Sequence, residues 1–254
     1  MAVEEPLEIR VAWSEPDGRR VIEALAVTMR TPGDDFELVA GFLHGEGVVS
    51  RADELSELTY CRGDETQEYN VVEARLAPGV TFDLESVRRN FYTTSSCGVC
   101  GKGSLEAVEA LRCAVLGTGP SVSADLLVEL PDRLLEAQGV FERTGGLHAA
   151  GLFSTNGERG AVREDVGRHN AVDKVLGHAL LQKLLPAAES ILVVSGRASF
   201  ELVQKAVVAG VPILVAVGAP SSLAIDLARR FKQTLVGFAR DGGFNVYCGA
   251  ERVE

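Results

Sequence analysis

From residue 190 onward the chain alternates apolar runs with amphipathic ones, and this alternation constrains its fold more than any other feature. ILVVS, VPILVAVG and TLVGFA are near-continuous apolar segments of strand length, while SFELVQKAVVAG and SSLAIDLARRF between them space their apolar residues helically. Strands without polar alternation belong to a sheet covered on both faces, so a largely parallel α/β sheet is expected here. Ligands of such sheets collect beyond the strand C-termini. At those positions stand Ser195, Gly196 and Arg197, then GAPSS at 218–222, then Phe238, Ala239, Arg240, Asp241, Gly242 and Gly243. The first two groups are small-residue turns feeding helix starts, whose free amides suit an anion, and Arg197 and Arg240 add charge. The same residue types also serve as ordinary strand-to-helix turns.

The earlier part of the chain has a different pattern. β-rich runs at 7–13 and 21–29 flank EPDG, a good hairpin turn, so the chain starts with a strand pair. A helix opened by residues 32–35 carries Phe36, Val39, Ala40 and Leu43 on one face and ends at Gly45 and Gly47. His44 at its end reads as a structural or solvent-facing group. A second strand pair, 55–61 and 69–76, surrounds the polar turn RGDETQ, and 82–90 reads as helical. Gly117, Gly119 and Pro120 break the chain, and Ser123 caps a helix over 125–138 with a fresh start at Pro131. Asn156-Gly157 marks a hairpin, and VGRHNAVDKVLGHALLQKLL a helix in which Asp173 and Lys174 read as a solvated face and His178 as a packing histidine. These breaks divide the chain into an α+β region at 1–120 and an α/β domain at 121–254.

Between the two parts lies FYTTSSCGVCGKGS, with thiols at Cys97 and Cys100. Each is followed by glycine, and the hydroxyls of Thr93, Thr94, Ser95 and Ser96 compete with the backbone for hydrogen bonds, so the stretch reads as a loop. Ser104 then opens a helix over 105–113. A thiol facing the first turn of that helix would have its pKa lowered and be nucleophilic near neutral pH. The chain has 5 cysteines, and with an acidic, strand-like start in place of a signal peptide the odd number argues against a disulfide framework. A single CxxC argues against a four-cysteine zinc site; Cys113 reads as a small core residue. No apolar run reaches membrane-spanning length, and a net charge of -11 argues against a broad nucleic-acid footprint, leaving Arg229, Arg230 and Lys232 as a solvated helix end. A cytoplasmic protein is expected.

Together YTTSSCGVCG, TGGLHAAGLF, EDVGRHNAVDKVLG, SGRASFELVQKAVVAGVPILVAVGAPSSLAIDLA and GFARDGGFNVY resemble, in the same order and over most of the chain, the FdhD family of formate dehydrogenase accessory sulfurtransferases. The resemblance implies a sulfur carrier. A cysteine desulfurase would load the CxxC loop with persulfide sulfur, which then passes to a molybdenum or tungsten cofactor, molybdenum bis(molybdopterin guanine dinucleotide) in the first case, bound for formate dehydrogenase. That cofactor is cargo, and no resident metal is expected. The resemblance further implies a cytidine deaminase-like second domain, a homodimer, Cys97 as the persulfide bearer with Cys100 as its partner, and cofactor contacts along Phe238, Ala239, Arg240, Asp241, Gly242 and Gly243. His148, after Gly145-Gly146, and His169, beside Arg168, Asp165 and Asp173, could steer protons, hold a phosphate or pterin, or serve as structural hydrogen-bonding groups.

Three alternatives remain open on the residues. A zinc deaminase needs His-x-Glu before Pro-Cys-x-x-Cys, whereas His148-Ala149-Ala150 lacks the glutamate, follows the CxxC, and Ser96 stands where proline is needed. A thioredoxin-like oxidoreductase would carry its motif early, directly after a strand. A non-catalytic cofactor-binding chaperone would leave the thiols incidental.

Overall fold

The computed structural model describes residues 1–15, 17–61, 69–82, 84, 115–117 and 119–254. Residues 85–114, with both thiols of the CxxC loop and the helix expected after it, lie outside the described residues.

Leu7, Ile9 and Val11 alternate along strand β1 (Glu5–Ser14) and are fully buried, which gives that strand one inner face. It pairs antiparallel with β2 (Arg20–Arg30), as the Asp17-Gly18 turn predicts, Gly18 taking a φ of 85°. β3 (Leu55–Tyr60) and β4 (Val71–Leu76) form the second expected pair. A parallel pairing of β1 with β4 then joins both pairs into a four-stranded sheet ordered β2-β1-β4-β3. Helix α1 (Asp35–Gly45) lies against its inner face, burying Leu38, Val39, Phe42 and Leu43 with Leu7, Ile9, Val11, Val72 and Leu76. It is buried nearly all round, leaving Phe36 the exposed apolar residue of the face assigned to it.

Ser123 Oγ accepts from the Leu126 amide at 3.2 Å and caps α2 (Ala124–Glu136). The helix runs through Pro131 without restarting, because Leu127, Leu130 and Leu134 on either side of it are buried against the second sheet. The short α3 (Gly139–Thr144) leads into β5 (His148–Ser154) and β6 (Arg159–Asp165), a hairpin turned at Gly157. α4 (Arg168–Leu181), β7 (Ser190–Val194), α5 (Phe200–Val208), β8 (Ile213–Ala216), α6 (Ser222–Arg230), β9 (Thr234–Arg240) and β10 (Gly243–Cys248) complete the order. The six-stranded sheet reads β10-β9-β8-β7-β5-β6.

Its helices cover both faces, α2 on one and α4, α5 and α6 on the other. It is not largely parallel, however. β7–β8 and β8–β9 are parallel, while β5–β6, β5–β7 and β9–β10 are antiparallel. The strand–helix–strand alternation holds at the centre, and a tight hairpin reverses the chain on each side of it.

α1 and α4 cross backbone to backbone. A Cβ at Gly41 would collide with the Asp173 carbonyl oxygen, and one at Gly177 with the Glu37 carbonyl oxygen. Beside this crossing, Lys174 Nζ donates to Asp165 Oδ2 and to the Thr31 carbonyl, each at 2.8 Å, and Lys205 Nζ donates to Asp173 Oδ1 at 2.6 Å. Asp173 and Lys174 are therefore buried ion-pair members, not a solvated helix face. His178 is no packing histidine either, since its Nδ1 lies 2.9 Å from Glu37 Oε1, a carboxylate that Arg163 also grips through Nε at 2.6 Å and a terminal nitrogen at 2.8 Å.

Gly177→Ala should gain roughly 1 kcal/mol in helix propensity. Forcing the helices apart should lose about 1–3 kcal/mol, for a lower denaturant midpoint; a raised midpoint would contradict the close crossing. Burial alone would raise the Glu37 carboxyl, but the Arg163 and His178 hydrogen bonds outweigh it and hold the pKa below its usual value. This contribution is full above the ordinary glutamate pKa and is lost as pH falls through the lower folded value. Glu37→Gln should thus destabilise the protein at neutral pH by on the order of 2 kcal/mol, with the deficit shrinking in urea titrations at acidic pH.

Candidate functional site

The sheet's directions bring the sequence-predicted residues to one edge. β7, β8 and β9 end there, β5 begins there at His148, and β6 ends there at Asp165, opposite His148. Backbone hydrogen bonds continue the ladder past the strands. Ser195 N donates to Ala149 O at 3.0 Å, Gly218 N to Gly196 O at 2.9 Å, and Phe238 N to Gly218 O at 3.1 Å. Ser195 Oγ accepts from the Ala149 amide at 2.9 Å. Gly218 keeps this approach close, since a Cβ there would lie 3.1 Å from Arg197 Cα and N and 3.0 Å from its Cγ.

Two groups of side chains stand along this edge. The first comprises His148, Arg168 and His169 around Ser195 and Gly196. A Cβ on Gly196 would lie 3.4 Å from His148 Nδ1 and 3.7 Å from Arg168 Cδ, so both side chains lean over that residue. The half-buried His148 ring has no hydrogen-bond partner among the described residues, and neither does the buried Nε of Arg168. Burial, followed by the charges of Arg168 and His169, pushes the His148 pKa down and favours the neutral ring. His169 Nε2 lies 3.0 Å from Glu201 Oε2 and 3.1 Å from Ser199 Oγ. The His169 hydrogen bond holds the Glu201 carboxyl below its usual range.

The second group is the segment from Phe238 to Gly243, two strand spacings from Gly196 and three, roughly 14 Å, from β5, the strand of His148. The sequence pattern places it at a strand C-terminus. Phe238, Ala239 and Arg240 do close β9, but Asp241 and Gly242 form a turn and Gly243 opens a further strand, β10. Positive φ at both Asp241 (53°) and Gly242 (76°) is the type I′ signature of a two-residue hairpin. The signal was present, since Asp-Gly is the dipeptide that marked the first hairpin. Phe238 also has a left-handed φ of 53°, and its ring, 37% exposed, lies 5.9 Å below the Arg240 guanidinium. Arg197 is exposed between the two groups.

Three helices start at this edge, and they differ. Ser221 Oγ takes the Ala224 amide at 3.2 Å, so the first turn of α6 is capped and not fully free as the small-residue turn suggested. The starts of α4 and α5 have no side-chain cap, their N-cap positions being Gly167 and Ser199, the hydroxyl of the latter facing His169. Ser199 and Glu201 were missed as site residues because serine followed by glutamate near a helix start reads as ordinary capping.

Cys97 and Cys100 lie outside the described residues, as does Cys113. The half-buried thiols of Cys61 and Cys248 are free, and burial pushes both up. His44 is buried at the far end of α1, its Nδ1 3.1 Å from the Val49 carbonyl. Among the described residues no three His, Cys, Asp or Glu side chains are grouped to hold a metal ion, and no helix is long and apolar enough to cross a membrane.

Residues 2–254 match the FdhD/NarQ family. The chain belongs to that family. It is 55% identical over 258 residues to the sulfur carrier protein FdhD of Streptomyces avermitilis, spanning 100% of this chain and 88% of that one. Against the protein of the same name from Mycobacterium tuberculosis it is 54% identical over 260 residues, covering 100% of this chain and 91% of the relative. A solved structure from Desulfotalea psychrophila, described as a formate dehydrogenase accessory protein, superposes with a TM-score of 0.74 at 28% identity, over 100% of this chain and 90% of that one. The family resemblance carried by the five sequence blocks is thereby borne out, and the mixed α/β architecture with two sheets is shared with that structure.

Gly242→Ala meets open space but must hold a positive φ, which should cost about 1–2 kcal/mol locally. Amide hydrogen exchange should then accelerate across β9 and β10 while β7 stays protected; equal acceleration in β7 would contradict a hairpin that opens by itself.

Proposed function

We propose that this chain is a sulfur carrier serving formate dehydrogenase, with Cys97 as the residue that bears the sulfur. The observation that carries this reading is the Cys97-Gly-Val-Cys100 sequence within a chain that matches the FdhD/NarQ family almost end to end. The Cys97 thiolate attacks the outer sulfur of a cysteine desulfurase persulfide, and the desulfurase thiolate leaves. Cys97 then carries a persulfide. In delivery, the Cys100 thiolate attacks Cys97 Sγ, the two cysteines close a disulfide, and the outer sulfur departs as hydrosulfide to the metal of the cargo. A cellular dithiol reduces that disulfide before the next round.

The cargo is the molybdenum, or tungsten, bis-pterin guanine dinucleotide cofactor. The edge of the second sheet supports this part of the reading: uncapped starts of α4 and α5 and the cations Arg168, Arg197 and Arg240 suit phosphates, and two groups roughly 14 Å apart suit an elongated ligand. The same reading includes a cytoplasmic homodimer, a division near residue 120 and a cytidine deaminase-like second domain.

Incubation with a cysteine desulfurase and cysteine should add sulfur to Cys97, located by mass spectrometry of its peptide. Cys97→Ala should abolish activation of a client formate dehydrogenase while guanine nucleotide binding survives. No added sulfur on either Cys97 or Cys100 would overturn the carrier reading, and full activation by Cys97→Ala would favour an escort that moves the cofactor without sulfur chemistry.

A further inference from the structure

The contact between His169 and Glu201 has no part in the sulfur steps. A carboxylate only accepts hydrogen bonds, so the Glu201 oxygen 3.0 Å from His169 Nε2 places a hydrogen on that nitrogen. Ser199 Oγ, at 3.1 Å, holds the same atom from a second direction. Nδ1 is left without a hydrogen-bond partner among the described residues. It is a lone pair in the neutral ring and a donor in the imidazolium.

Neither side chain needs the other in order to be satisfied. His169 is 36% exposed and Glu201 33%, so water could serve both, unlike the buried Lys174–Asp165 pair. Ser199, the N-cap residue of α5, accepts from His169 Nε2–H and donates at 3.4 Å to Glu201, in place of capping its own helix. His169 is also the second residue of α4, where the helix dipole disfavours a cation and a facing carboxylate restores it.

We propose that Glu201 is a positioning residue of the ligand edge: together with Ser199 it fixes His169 through Nε2, so that the imidazolium presents its Nδ1–H to a phosphate of the bound nucleotide. This rests on the reading of the edge as the site for the cargo's nucleotide. The charged and titratable groups acting around the ring are Arg168 and Asp173 on α4, His148 on β5, and Glu201 and Lys205 on α5. Arg168 adds positive charge, and His148, held toward its neutral form, adds none at neutral pH. His169 is thus the ring of the group that Glu201 and Ser199 hold in place.

The test uses guanosine diphosphate as the probe, with calorimetric affinity measured across pH and the His169 titration followed by NMR of the free protein. Wild-type affinity should fall as pH rises through the His169 midpoint, and His169→Gln should leave only the slope belonging to the nucleotide itself. Glu201→Gln should lower the His169 midpoint, move the loss of affinity to the same lower pH, and weaken binding at neutral pH about tenfold. Glu201→Asp should recover part of that loss. Ser199→Ala, which keeps the carboxylate, should weaken binding less and leave the midpoint nearer wild type. A Glu201→Gln protein with an unshifted His169 midpoint, or with a shifted midpoint and an unchanged affinity profile, would overturn the positioning role while leaving the nucleotide site intact. A wild-type protein that binds no guanosine diphosphate at any pH would overturn the nucleotide-site reading itself, and this inference with it.

Discussion

The placement of Arg168 and His169 at the sheet edge depends on the crossing of α1 and α4 through Gly41 and Gly177. With no side chain between them the two backbones touch, so the helices can neither slide nor roll without breaking carbonyl contacts. Ion pairs then lock the surroundings. Asp165 accepts from Lys174, from the Gly167 amide at 2.8 Å and the Thr31 amide at 3.1 Å, and from Asn170 Nδ2 at 3.0 Å. Asn170 Nδ2 also donates to the Met29 carbonyl at 2.8 Å. The first turn of α4, which carries Arg168 and His169, is therefore tied to the end of β2 in the first sheet and the end of β6 in the second. Such buried pairs add little net stability against an apolar equivalent, but breaking one by removing a partner costs about 3–5 kcal/mol. Their effect here is registry between the two sheets.

That registry matters because the rest of the protein is acidic. A chain with net charge -11 repels a polyphosphate at long range, so anion binding has to come from local cations and backbone amides. Arg168 and His169 supply the charge at one end of the edge and Arg240 at the other, with Arg197 between. Arg240 is largely solvated, and the Asp241 carboxylate lies 3.8 Å from it, which dilutes its field. On the proposed reading the end near α4 is the better suited to an anion, because Arg168 stands beside uncapped helix amides and over Gly196.

Much of this architecture was legible in the sequence, because its signals are local. Apolar runs at 190–194 and 213–216, the Ser123 cap and the Asp17-Gly18 and Asn156-Gly157 turns each act within a few residues of themselves. Three things were not legible. The β1–β4 pairing joins segments some sixty residues apart, and nothing in either strand specifies a parallel partner. Charged residues such as Asp173 and Lys174 ordinarily mark solvent, and their burial follows only from the arrival of Lys205 and Asp165 from other elements. The Glu201–His169 contact likewise spans two helices. For the CxxC loop the sequence speaks to chemistry alone, as its thiols lie outside the described residues.

Departures from local rules help separate the edge from the core, provided they are weighed and not merely counted. Buried polar atoms without partners among the described residues also occur at His44, Gln204, Gln233 and Arg252, away from the edge, so an unpaired Arg168 Nε marks nothing by itself. The edge differs in combining several kinds of departure where solvent can reach. Phe238 holds a left-handed backbone that a bulky residue disfavours, the His148 ring has no hydrogen-bond partner among the described residues, and Ser199 forgoes its cap for a histidine. No single one of these stabilises the fold. Each leaves a group exposed or held for a contact that the described residues do not provide, which is the form that the proposed ligand site would require.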